Sequence, residues 1–141
     1  MRILTITQQY PPARYIGAEL YDHNLNKFLI AQGHTVEVIT AEKPTDPYVL
    51  DDVVVNPLKP AMPDIILTHI DNRGPAHYFK RVHNINVPIV GILHNLQPNT
   101  LKQIKIFNWD GIIFNSNYAV ELVNPTVPYT VLTPPTPKPL S

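Results

Sequence analysis

Arg2-Ile3-Leu4-Thr5-Ile6-Thr7 and Gly33-His34-Thr35-Val36-Glu37-Val38-Ile39-Thr40 bracket one helical pattern, and together they decide the fold. The first is a near-continuous apolar run, the mark of a strand covered on both faces. Between the two, Ala18, Tyr21, Leu25, Phe28 and Leu29 recur at spacings of three and four, which predicts a helix over 17–32 with these residues on one face. Gly33 stands where a left-handed C-cap is wanted. Thr35–Thr40 is then a second strand. Strand, helix and strand in this order are a βαβ unit, which implies a parallel sheet.

The same rhythm continues outward. Val53–Val55, Ile65–Ile70, Pro88–His94 and Gly111–Asn115 read as strands three to six, and Tyr129–Thr133 as a last edge strand. Lys43–Pro47 reads as a turn. Helices are predicted over Ala76–Asn84, Asn99–Asn108 and Asn117–Val123, the last with Ser116 as N-cap. Only nine residues, three of them proline, separate Val55 from Ile65. A parallel crossover usually takes a dozen or more residues. Either the third strand is an antiparallel edge or hairpin element, or the crossover is a bare loop. The expected fold class is α/β, a Rossmann-like doubly wound, mostly parallel sheet with central order 3-2-1-4-5-6.

Composition narrows the function. The 141 residues suit one domain, and eleven basic residues balance eleven acidic ones. Zero net charge gives no support for a nucleic-acid partner, which needs a basic surplus. The absence of cysteine excludes disulfides, thiolate catalysis and cysteine-bound zinc. No apolar run reaches the roughly 20 residues of a transmembrane segment, and the short run at 3–7 is no signal peptide. The expected location is cytoplasmic, with peripheral membrane contact left open. Prolines at 134, 135, 137 and 139 make 134–141 a Pro-rich linker or tail beyond a domain at 1–133.

In doubly wound sheets, ligands bind beyond the carboxyl ends of the strands. That rule selects Gln8–Glu19, His69–Gly74, His94–Pro98 and Asn115–Asn117. Gly17, entering a helix, lets backbone N–H groups approach an anion, or else serves only the turn. G-x-G-x-x-G is absent, so nothing supports NAD or FAD. Glu19 sits in the first helical turn, where a carboxylate suits the dipole. His94 and His69 end neighbouring strands and can act in hydrogen bonding or acid–base work, or simply bond a nearby carbonyl. They can also approach each other, with Asp71 or His77 as a third ligand, but the spacing matches no metal motif and no metal is assigned. His23, His34 and His83 read as surface or helix-end residues.

Six ordered segments carry a family resemblance: Gln9-Tyr10-Pro11-Pro12 with Gly17-Ala18-Glu19; Gly33–Thr40; Pro63–His69; Pro88–His94; Trp109–Ser116; and Val131–Pro135. The chain resembles the N-terminal domain of family-4, GT-B-type retaining glycosyltransferases. The resemblance implies transfer of a hexose from a nucleotide diphosphate sugar donor to a hydroxyl acceptor, with no cofactor and no essential metal. It implies that Gly17 lies near the donor diphosphate and that His94 contacts the transferred sugar. Tyr10, Arg14, Glu19, His69, Asn95 and Ser116 would then line the acceptor side. The sequence departs from the pattern at Ile16, where the family has its first glycine, and in a shortened stretch before Ile65. The family's second Rossmann domain, which carries the basic diphosphate clamp, has no counterpart here. The chain is therefore expected to need a C-terminal Rossmann domain, in cis or in trans, and to be inactive alone. A non-catalytic binding or scaffolding domain and half of a GT-B nucleotide-sugar epimerase stand as alternatives.

Overall fold

A computed structural model describes residues 1–12 and 17–133. The strands are β1 (Arg2–Thr7), β2 (Thr35–Thr40), β3 (Tyr48–Leu50), β4 (Val53–Val55), β5 (Ile65–His69), β6 (Ile89–Leu93), β7 (Gly111–Phe114) and β8 (Tyr129–Val131). The helices are α1 (Gly17–Ala31), α2 (Arg73–His83), α3 (Pro98–Ile106) and α4 (Asn117–Val123), with a 3-10 turn at Ile70–Asn72. One sheet runs β3-β4-β2-β1-β5-β6-β7-β8, parallel except for the β3–β4 hairpin. The fold is α/β and Rossmann-like, with the expected central order.

Period-two alternation sorts the strand side chains between two cores. Ile3, Val36, Val38, Leu67, Ile92 and Ile113 join Leu25 of α1 on one face. Leu4, Ile6, Ile66, Ile89, Leu93, Ile112 and Phe114 join Ala76, Phe79 and Ala119 of α2 and α4 on the other. Gly91 lets the second core close tightly. A Cβ there would stand 2.3 Å from Ile70 Cδ1 and 2.8 Å from Trp109 Cε3.

Several local expectations are corrected. The turn expected at Lys43–Pro47 is followed by an unforeseen strand, β3, which pairs antiparallel with β4. β4 itself pairs parallel with β2, so both readings of the short crossover hold in part. The stretch 56–64 is a bare loop that crosses β2 and β1 without a helix. It is pinned where Ala61 N–H donates to Glu37 and where Asp64 N–H donates to the Arg2 carbonyl. The inward face of α1 is also not the apolar one expected. Asp22, His23, Leu25 and Asn26 are buried, while Phe28 is 53% exposed.

The caps follow their sequence signals. Gly33 has φ 95°, a left-handed backbone that glycine adopts without a Cβ clash. Ser116 Oγ accepts from Ala119 N–H at 3.2 Å and caps α4. Among the described residues no helix is long and apolar enough to cross a membrane. Arg14 and the tail at 134–141 lie outside the described residues.

Candidate functional site

The order reverses between β1 and β5: the chain leaves β1 toward β2 and returns on its other side to β5 and β6. At the carboxyl ends flanking that switch point, the side chains on the α1 face are Thr7, His69 and His94. Each stands two residues beyond an inward neighbour, Thr5, Leu67 and Ile92 respectively, and so shares its face. Above them, α1 points Asp22 down into the sheet.

The three elements meet in one cluster. Asp22 is 0% exposed. His69 Nε2 lies 2.5 Å from its Oδ2, and His94 Nε2 lies 3.1 Å from its Oδ1. Thr7 Oγ1 also donates to Oδ2, at 3.4 Å. The His69 and His94 rings are 4.1 Å apart, and Tyr21 meets His94 edge-on at 5.0 Å. Burial pushes the Asp22 carboxyl up, but His69 and His94 more than offset it, so its pKa falls below the ordinary value. Asp22 is therefore an anion held in the protein interior. A carboxylate only accepts, so each Nε2 donates to it and each Nδ1 is left for another partner. One ligand atom from each of Asp22, His69 and His94 fits within a spread of 4.8 Å, the only such group of three among the described residues.

Two adjoining hollows open onto the cluster. One, of about 420 Å3, is lined by Gly17, Ala18, Tyr21, His94 and Asn115 among others. The other, of about 240 Å3, is lined by Gln8, Glu19, His69, Asp71, His94 and Asn95 among others. Larger hollows lie elsewhere, but none brings imidazoles onto a carboxylate, and chemistry rather than size marks this site. Gly17, Glu19, His69, His94 and Asn95 are thus brought together, as the strand-end rule expects. Asp71 contributes to the wall, where it accepts from Thr100 Oγ1 at 2.8 Å.

Other site candidates fall differently. Tyr10 is 1% exposed, and its hydroxyl is occupied by His23 Nδ1 at 2.5 Å and Asn26 Nδ2 at 3.0 Å. Burial raises its pKa far above the usual 10. It belongs to the packing beneath the cleft. Ser116 is engaged as the α4 cap, while its neighbour Asn115 faces the cleft. His77, a candidate third partner for the two histidines, sits on α2 with a buried Nε2 that has no hydrogen-bond partner. The third partner is Asp22, which sequence reasoning missed. His23 is a second correction: it is buried and bonds Asp51 Oδ2 at 2.8 Å, so it is no surface histidine. The available signal was Asp22-x-x-x-Asn26, two polar residues one turn apart beside Leu25 and Leu29.

The fold and site define a Rossmann-like α/β domain with a histidine–carboxylate cluster at its topological switch point. No protein-family model matches the chain, and no curated protein matches it.

Proposed function

We propose that this chain is the N-terminal, acceptor-side domain of a retaining glycosyltransferase of the GT-B type. It would move a hexose from a nucleotide diphosphate sugar to a hydroxyl acceptor, together with a second Rossmann domain that clamps the diphosphate. The observation that carries this reading is the shared cleft of Gly17 and His94 at the carboxyl edge of the sheet. Backbone N–H groups at the start of α1 suit a phosphate oxygen. A histidine fixed at a strand end suits a sugar hydroxyl, because its position is set by the central sheet. The bond from His94 Nε2 to Asp22 orients the ring and leaves Nδ1 for the sugar. Glu19, His69 and Asn95 then line the acceptor side.

Calorimetric titration of nucleotide diphosphate sugars into this chain tests the division of labour. Expected binding is millimolar or weaker, about −4 kcal/mol, with no turnover by the chain alone. Low-micromolar binding or transfer by this domain alone would overturn the half-enzyme reading. In the assembled two-domain enzyme, His94→Ala should lower kcat by roughly 100-fold, the scale of one lost transition-state hydrogen bond. Unchanged turnover in folded His94→Ala enzyme would remove His94 from the reaction.

A further inference from the structure

We infer that Asp22, His69 and His94 form a binding site for one divalent transition-metal ion, with Zn2+ as the reference ion. Two imidazole nitrogens and one carboxylate oxygen are a donor set that suits Zn2+, Fe2+ and Co2+. The three side chains come from α1, the last residue of β5 and the residue directly after β6, so the backbone of a parallel sheet and its covering helix fixes their approach. Their ligand atoms already lie within 4.8 Å of one another. Zn2+ sits about 2.0–2.2 Å from such donors, and shifts of about 1 Å or less per side chain close the remaining gap.

Three further features fit an ion. The Asp22 carboxylate is fully buried, and a buried charge is stabilised by an opposite charge or by metal coordination. Thr7 Oγ1 hydrogen-bonds the same carboxylate, as outer-shell groups do when they orient a ligand. Finally, three protein ligands leave at least one coordination position open. His69 and His94 line a hollow together with Gln8, Glu19, Asn95 and Thr100, which offers room for the water or ligand oxygen that would complete the shell. Metal binding at Nε2 moves the proton that each neutral ring otherwise donates to Asp22 onto Nδ1, the tautomer that leaves a lone pair for the ion. The site departs from the metal-free chemistry implied by the family resemblance. It does not rest on the glycosyl-transfer reading, because its readout is an ion isotherm that is indifferent to sugars.

The test is a titration of the chelator-treated, dialysed chain with ZnCl2 by calorimetry, repeated with Co2+ by visible absorption. One ion per chain is expected, with a Kd of low micromolar or tighter. His69→Gln and His94→Gln should each weaken binding by about 100-fold or more. Both histidines are partly exposed, so these variants spare the buried carboxylate, and their melting curves report that the fold is kept. His34→Gln is the control, because His34 Nδ1 lies 3.0 Å from the Met1 amino nitrogen and forms another nitrogen pair. Its binding should equal that of the parent. No saturable Zn2+ binding below about 100 μM overturns the site, as does binding unaffected by both cluster variants or abolished by His34→Gln.

Discussion

Asp22 and His23 are neighbours in sequence, and each anchors a histidine–carboxylate network, yet the two networks are built inside out from one another. Around Asp22 the carboxylate is buried and the histidines approach the cleft. Around His23 the histidine is buried and its carboxylate, Asp51, lies at the surface in the β3–β4 turn. Tyr10 and Asn26 close the second network from inside: Thr5 Oγ1 donates to Asn26 Oδ1, and Asn26 Nδ2 donates to the Tyr10 hydroxyl. Every inner atom of that set has a partner within the protein, so it reads as a fastening of β1, α1 and the loop after β1. The Asp22 cluster instead keeps two imidazole edges toward a hollow. The two networks differ in where they hold their charge. A charge at the surface is satisfied by water, while a charge in the core must be answered by the groups around it.

Three substitutions probe this contrast. Asp22→Asn should have the largest effect, on the order of 3 kcal/mol, because the amide NH2 then faces an imidazole N–H and a buried pair is broken. Thermal melts in chelator read this without interference from bound ions, and a loss below about 1 kcal/mol would mean that the carboxylate is not held as described. Tyr10→Phe should cost about 2 kcal/mol, since it leaves Asn26 Nδ2 and His23 Nδ1 without a partner in the interior. Urea unfolding measures it, and a loss below about 0.5 kcal/mol would mean that the hydroxyl is not the partner of both groups. Asp51→Asn should leave the melting temperature within error, because the carboxylate is solvated and asparagine tolerates the φ of 50° there. A loss as large as that of Asp22→Asn would erase the distinction between the two networks.

The sequence carried the architecture well. Apolar runs such as Arg2–Thr7 and Ile89–Leu93 have no rival reading once a helix lies between them, and the strand-end rule then located the cleft. What escaped was anything that depended on which side of α1 turns inward. Apolar spacing pointed to Tyr21, Leu25, Phe28 and Leu29, whereas the sheet beneath offers Thr5 and Thr7, whose hydroxyls pair with Asn26 and Asp22. That matching is a property of two segments together, and the periodicity of one helix cannot report it. β3 escaped for a related reason. Tyr48-Val49-Leu50 is three residues long and follows two prolines, and only the turn at Asp51 and Asp52, both at positive φ, folds it back onto β4.

The helix-free crossing at 56–64 has one more consequence. An α-helix with its side chains is about 10 Å thick, so a chain in extended form covers β2 and β1 with a thinner coat. The space left beside it is a groove of about 800 Å3 between Pro57, Leu58 and Pro60 on one wall and Pro75 and Tyr78 on the other, floored by Ile6 and Ile39. Prolines restrict the unfolded chain as well as the folded one, which lets a short strap hold its course with few contacts. In architectural terms this is a recess in the coat, on the sheet face opposite α1 and the Asp22 cluster. The strap and its groove are thus separated by the full thickness of the sheet from the buried carboxylate and its two histidines.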